Sequence, residues 1–270
     1  MKISVIQPAS YSGEGEYKNL DRALNYIDEA KEMGSKLVLF PELYPGPANP
    51  QSNYETFSTL SKKAKEKDIY IIESHLESDR QGHSVTVQII SPKGESVGKY
   101  KRTTPESPYI YKDIDAWNFN YVDHDKLPIF EIEGCKVGLL VCSEVYVPEL
   151  SRILALKGAE IVFYPAGALI NELMSTWKIM IQARAIENLM YTCACQNIYG
   201  VEKGVAMIAG PEGILAERED KGVLTTEIDL ERMRWLREEN EKIEMPKKYK
   251  VVPGTLKWKG PDLYRKYLNK

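Results

Sequence analysis

Val137 to Val141 is an apolar run too short for a free-standing helix, and it stops abruptly at Cys142. A short apolar run of this kind reads as a strand buried on both faces, the kind found in parallel sheets. A polar turn follows, and Pro148 then opens the helical pattern from Glu149 to Lys157. Proline is tolerated in the first helical turn because its missing N–H would have had no partner there. The same grammar appears near the start of the chain. Lys2 to Gln7 is a strand, and a polar turn over Tyr11 to Glu16 leads to Asn19, which reads as the cap of a helix. That helix keeps apolar spacing at Leu20, Ala23, Leu24, Ile27, Ala30 and Met33 and ends at Gly34. Lys36 to Phe40 is the next strand, Tyr54 to Lys67 a second amphipathic helix, and Asp68 to Glu73 and Ser84 to Ile90 two more strands. Strands alternating with helices in this order place parallel strands in one sheet with helices over it.

After Gly98-Lys-Tyr-Lys-Arg-Thr-Thr-Pro105 a long irregular stretch runs to about Leu127, and loops of that length in a compact domain tend to carry function. Beyond the Cys142 strand and its helix come a strand over Gly158 to Pro165, a helix from Glu172 to Asn188 and a strand from Met190 to Gln196. Val205 to Ala209 and Gly222 to Ile228 read as strands, and Asp229 as the cap of a helix reaching about Lys242. No linker splits the chain, so residues 1–270 are expected to form a single domain, with 245–270 as a C-terminal arm carrying Pro246, Pro253 and Pro261.

Composition narrows the function. The 36 basic and 39 acidic side chains leave a formal charge of −3, with no basic face to attract nucleic acid or an anionic membrane. No apolar stretch approaches the length of a membrane span, and the first residues are too short an apolar run for a signal peptide. Cysteines 135, 142, 193 and 195 have neither zinc-ligand spacing nor the framework of a secreted scaffold, so a reduced, cytoplasmic protein with no metal site is expected. Histidines 75, 83 and 124 are the only three, and none lies beside an obvious nucleophile.

Cys142 sits at the carboxyl end of a strand, just before a helix start, where N–H groups converge and a thiolate is favoured over a thiol. Glu42 follows the strand Lys36 to Phe40, and Lys101 or Arg102 follows the run ending at Tyr100. Taken singly, these are also what a buried cysteine, a turn-capping acid and a solvated loop cation look like. Their order is what counts. Phe40-Pro-Glu42, Gly98-Lys-Tyr-Lys101 and Leu140-Val-Cys142-Ser-Glu144 together resemble the nitrilase, or carbon–nitrogen hydrolase, superfamily and its Glu-Lys-Cys triad. Asn19-Leu-Asp21, Gly158 to Pro165, Trp177 with Arg184 to Asn188, Gly210 to Ala216 and Pro261 to Tyr264 extend the resemblance over nearly the whole chain.

The resemblance implies a cofactor-free hydrolase of non-peptide C–N bonds, using only water and a small amide or nitrile. The Cys142 thiolate would attack the substrate carbon to form a covalent intermediate, and Glu42 would move the protons. A lysine ammonium and the N–H of Ser143 would stabilise the oxyanion. Two departures stand out. A gapless match on Gly98-Lys-Tyr puts Arg102 on the catalytic lysine position, whereas counting back from Pro105 puts Lys101 there; Lys101 is chosen because a compact ammonium fits between thiolate and oxyanion. Counting back from Cys142 for the family's auxiliary glutamate lands at or next to Asp115, a shorter acid that either assists the site or is a plain loop carboxylate.

Ser143, where nitrilases usually carry tryptophan, favours a small carboxamide or N-carbamoyl substrate over a nitrile. Tyr146 is a candidate pocket residue. Nitrile hydrolysis by the same triad, acyl transfer, and a catalytically weak binding protein of the same fold are the alternatives. The fold implied is a four-layer α-β-β-α sandwich, eight-layered in a homodimer or part of a higher homo-oligomer, paired across the helices at 148–157 and 172–188, with the C-terminal arm crossing to the partner.

Overall fold

The structure is a computed structural model, and it describes residues 1–80, 82–103, 127–167, 173–200 and 203–238. The expected C-terminal arm, Asp115 and the far end of the helix begun at Asp229 lie outside the described residues.

Twelve described strands form two six-stranded sheets. The first is built from β1 (Lys2–Gln7), β2 (Leu37–Leu39), β3 (Tyr70–Asp79), β4 (Gly82–Ile90), β5 (Ser96–Lys101) and β12 (Gly222–Glu227), in the order β12-β1-β2-β3-β4-β5. The second contains β6 (Phe130–Ile132), β7 (Cys135–Leu139), β8 (Ile161–Ala166), β9 (Tyr191–Gln196), β10 (Ala206–Gly210) and β11 (Gly213–Arg218), in the order β11-β10-β9-β8-β7-β6. In each sheet three central strands run parallel and antiparallel strands close both sides. The two sheets therefore share one topology, with β1, β2 and β3 matched by β7, β8 and β9. The coarse likeness between the halves of the sequence has its physical basis in this repeated winding.

Helices α1 (Lys18–Glu32) and α2 (Phe57–Lys67) cover the outer face of the first sheet. Ala23, Ile27, Ala30, Leu60 and Ala64 pack there against Ile6, Val38, Ile71 and Ile90. Helices α3 (Pro148–Leu156) and α4 (Met174–Asn188) cover the second sheet, and α5 (Leu230–Glu238) follows β12. The inner faces meet through Val5, Leu39, Ile72 and Val87 on one side and the β7–β9 residues on the other, giving the α-β-β-α sandwich. Two glycines set the closeness of the layers. A Cβ on Gly138 would stand 2.8 Å from the Leu154 Cδ1 of α3, and one on Gly98 would overlap the Phe130 ring. Burying both faces of the central strands explains the apolar runs of β2, β7 and β8 and the buried polar residues Ser4, Gln7, Thr192 and Gln196 of β1 and β9. Among the described residues no helix is long and apolar enough to cross a membrane.

Local readings needed two corrections. Asn19 does not cap α1; Tyr17 holds that position, and Asn19 lies buried inside the first turn. Its side chain accepts the Tyr11 N–H at 2.8 Å and donates to the Tyr11 carbonyl at 2.9 Å, clasping the loop after β1. Strands β5, β6 and β11 were not anticipated. All three are sheet edges with a neighbour on one side only, so their apolar signal is diluted by exposed positions. Asp229 does cap its helix, with Oδ1 accepting the Arg232 N–H at 2.9 Å.

Candidate active site

The carboxyl ends of β2 and β7–β9 converge, and every polar group of the site is delivered from such a strand end or from the end of β5. Glu42 lies beyond β2, 3% exposed, with Leu43 after it in the left-handed region. Its backbone is tied to the second sheet: the Glu42 N–H reaches the Ala166 carbonyl at 3.3 Å, and the Asn197 amide donates to the Glu42 carbonyl at 2.7 Å. The carboxylate accepts the Gly167 N–H on Oε2 and Arg102 Nη1 on Oε1, both at 2.9 Å. Tyr199 follows Asn197, and its phenol is pushed up to about 12, first by burial and then by the carboxylates of Glu42 and Glu16.

Cys142 ends the β7 run with φ +48, a left-handed conformation that a side chain adopts only when its surroundings impose it. It opens a short 3-10 turn, Cys142–Tyr146, and α3 begins only after it. The converging N–H groups expected beside the thiol therefore belong to this turn, and not to the first turn of α3. Tyr146 is 37% exposed, and its phenol is raised by burial and by the neighbouring Cys142. The other cysteines, Cys135, Cys193 and Cys195, lie buried on strands, where burial pushes each thiol up and away from the reactive thiolate.

What forces the turn is Glu144, which is fully buried. Its carboxylate accepts the Val141 N–H at 2.6 Å, the Thr103 N–H at 2.8 Å, the Thr103 hydroxyl at 2.7 Å and the Tyr100 hydroxyl at 2.9 Å. Arg184 of α4 donates to the Val145 carbonyl at 3.0 Å from the other side. Glu144 thus fastens the Cys142 turn of the second sheet to the end of β5 in the first. Glu144→Ala would strand four buried donors, and the chain is expected to lose on the order of 3 kcal/mol or more of stability in urea unfolding. A loss under about 1 kcal/mol would show that the carboxylate is not the anchor.

The basic side chain that reaches Glu42 and Ser143 is that of Arg102, whereas Lys101, the residue expected there, lies on the other face of β5. Alternation along β5 is decided by its register on β4, where Tyr100 pairs with Val87 and Lys101 with Thr86. Val87 and Tyr100 face the inner core, and Arg102, bonded through its N–H to the Val85 carbonyl, falls on the same side. Arg102 is 1% exposed and reaches Glu42 through Nη1 and Ser143 Oγ through Nη2, the latter at 2.5 Å. Lys101 points to the outer face, 34% exposed, with its ammonium 3.0 Å from Glu77 Oε2. The structure brings together Glu42, Arg102, Cys142, Ser143 and Tyr146. Lys101 is not among them, and Asp115 is outside the described residues. The period-2 pattern from Gly98 carried this information; without the second face of the sheet it could not say which side was inward.

Lys101 belongs to a separate ionic chain on the outer face of the first sheet. Fully buried Glu73 meets His75 Nδ1 at 2.9 Å, His75 Nε2 lies 3.4 Å from Glu77, and Glu77 also takes Lys99. His75 is raised to about 9, burial opposing and the Glu73 and Glu77 carboxylates outweighing it, while burial raises Glu73. The folded chain then holds more protons than the unfolded chain between about pH 6.5 and 9, so stability falls as pH rises through that window. His75→Asn is expected to flatten the loss between pH 6.5 and 9.5, measured by urea unfolding at each pH. An unchanged slope would remove His75 from the titration. Among the described residues no three His, Cys, Asp or Glu side chains converge to hold a metal ion.

The arrangement offers a thiol on a strained turn, a buried carboxylate and a buried guanidinium, which is the equipment for nucleophilic attack with proton transfer and oxyanion stabilisation. The carbon–nitrogen hydrolase family model matches residues 2–238. An N-carbamoylputrescine amidase of Arabidopsis thaliana is 27% identical, over 92% of this chain and 89% of its own. A nitrilase of Pyrococcus abyssi is 28% identical, over 79% of this chain and 84% of its own. An amidase structure from Nesterenkonia sp. superposes with a TM-score of 0.75 at 24% identity, over 87% of this chain and 92% of that one, and shares the fold.

Proposed function

The chain belongs to the carbon–nitrogen hydrolase family, and from that premise we propose that it hydrolyses a small carboxamide or N-carbamoyl amine through a Cys142 thioester, with Glu42 as proton carrier and Arg102 as cation. The observation that carries this reading is the convergence of Glu42, Arg102 and the Cys142-Ser143 turn from three strand ends of two sheets. Glu42 takes the thiol proton, and the thiolate adds to the carbonyl carbon. The resulting oxyanion is held by the guanidinium and by N–H groups of the turn. Collapse of the tetrahedral intermediate breaks the C–N bond, and Glu42 hands its proton to the departing amine or ammonia. Water then gives a proton to Glu42 and adds to the thioester, and a second collapse releases the thiolate. Tyr146, on the same turn, is placed to line the acyl pocket. A carbamoyl substrate is favoured by the relative that acts on N-carbamoylputrescine.

A nitrile as substrate is the second reading, favoured by the Pyrococcus relative. A panel of carboxamides, N-carbamoyl amines and nitriles, followed by ammonia release and intact mass, tests both. Turnover of amides or carbamoyl amines is expected. Turnover confined to nitriles selects the second reading, and binding without turnover or adduct leaves a binding protein of this fold. Product analysis with hydroxylamine separates hydrolysis from acyl transfer.

The same reading places the enzyme in the cytoplasm as a homodimer paired across α3 and α4. Ile153, Ile179 and Ile186 of these helices are exposed at 41%, 66% and 45%, an apolar surface suited to a partner. A light-scattering mass of one chain at micromolar concentration would exclude the pairing.

A further inference from the structure

We infer that Ser143 is a positioning residue for Arg102, and that the two form a matched pair through which this site uses a guanidinium as its cation. The inference rests on the reading of Arg102 given above. Arg102 is almost wholly buried, and a buried charge is tolerated only when its donors find acceptors. Nη1 has Glu42 at 2.9 Å on the first sheet, and Nη2 has Ser143 Oγ at 2.5 Å on the turn that carries Cys142. A guanidinium has donors and no acceptor, so Ser143 accepts in this contact and its O–H is directed away from Arg102.

The plane of the fork is what needs the second anchor. Glu42 holds one arm of the guanidinium and Ser143 the other, so the two contacts together fix the plane of the fork. The Ser143 contact comes from the residue bonded to Cys142, so the cation and the nucleophile move together. An ammonium is a compact point charge with three rotatable donors and needs no such in-plane anchor. Ser143 is therefore the residue that an arginine at this position requires, which gives a physical reason for the serine beside the nucleophile. Glu144 sets the main chain of the same turn against Tyr100 and Thr103, while the Ser143 hydroxyl meets the guanidinium.

The test is a cycle of Ser143→Ala and Arg102→Lys, with Ser143→Thr as the conservative variant, read by steady-state kinetics and by the pH dependence of Cys142 alkylation, which needs no turnover. Ser143→Ala is expected to lower kcat about tenfold to a hundredfold with KM changed by less than about threefold, and Ser143→Thr to restore most of it. In the Arg102→Lys background, Ser143→Ala should cost less than about twofold. Alkylation of Cys142 should need a higher pH, by about one unit, in Ser143→Ala, because the loosened guanidinium stabilises the thiolate less. In an Arg102→Ala background that shift should vanish. An equal effect of Ser143→Ala in both backgrounds would mean that the serine acts on the reacting atoms by itself, and would overturn the pairing. So would wild-type kcat and alkylation in Ser143→Ala. Unchanged turnover and alkylation in Arg102→Ala would instead remove Arg102 as the cation, and the pairing with it.

Discussion

Cys142→Ala is expected to remove ammonia release from every substrate the enzyme turns over, a loss of about a thousandfold or more in kcat, while the fold survives. The size of the effect follows from the chemistry, since without Sγ no thioester can form and the remaining groups can only polarise a bound amide. The stability cost is small because one sulfur leaves a site that is already 8% exposed, and alanine meets the same left-handed φ of +48. Cys142→Gly should be at least as stable as the alanine variant, since glycine adopts that φ without strain, worth about 1 kcal/mol. Intact mass after incubation with substrate should show no adduct in either variant. Retained turnover in Cys142→Ala would end the assignment of the nucleophile.

Arg102→Ala and Lys101→Ala are expected to separate widely, although the two residues are neighbours in the chain. Removing the Arg102 guanidinium leaves Glu42 buried beside a lost partner. The expected result is a fall in kcat of about a hundredfold or more, with a stability loss of about 3 kcal/mol. Lys101→Ala should leave kcat within about threefold, because its ammonium serves Glu77 on the outer face and is partly exposed. A third variant gives a signature that misfolding cannot imitate. A guanidinium stays charged through the accessible alkaline range, so the wild-type rate should hold there, whereas Arg102→Lys should acquire an alkaline limb as its ammonium loses a proton. If Lys101→Ala kills turnover and Arg102→Ala is silent, the cation has been placed on the wrong face of β5.

Much of the molecule was legible in the chain. Strands β2, β7 and β8 are buried on both faces, so their burial is written as apolar runs, and α1 to α4 carry one apolar face each. Pro148 marked the start of α3 and Asp229 the start of α5 because those signals are local: each concerns backbone groups within one turn. The positions of Cys142 and Glu42 were legible for the same reason, since both sit where an apolar run stops, and the order of the motifs carried the family.

What the chain could not show depends on contacts between segments far apart in sequence. Edge strands β5, β6 and β11 have one neighbour each, and their residues look like loop until that neighbour is in place. Asn19 looked like a helix cap because its true partner, Tyr11, is reached only once the loop after β1 folds back. The identity of the cation turned on which face of β5 is inward. Alternation separates Tyr100 and Arg102 from Lys99 and Lys101 without ranking them, and only the packing of Val87 and Tyr100 against the second sheet ranks them. Three of the four donors gathered by Glu144, those of Tyr100 and Thr103, and the fork from Arg102 to Glu42 and Ser143 likewise join residues about 40 to 60 positions apart. Sequence by itself determined the central strands, the helices and the positions of Cys142 and Glu42 at strand ends, because burial and capping are local and periodic. The tertiary structure decided which basic side chain meets Glu42 and the shape of the Cys142 turn, because both are set by which sheet faces meet.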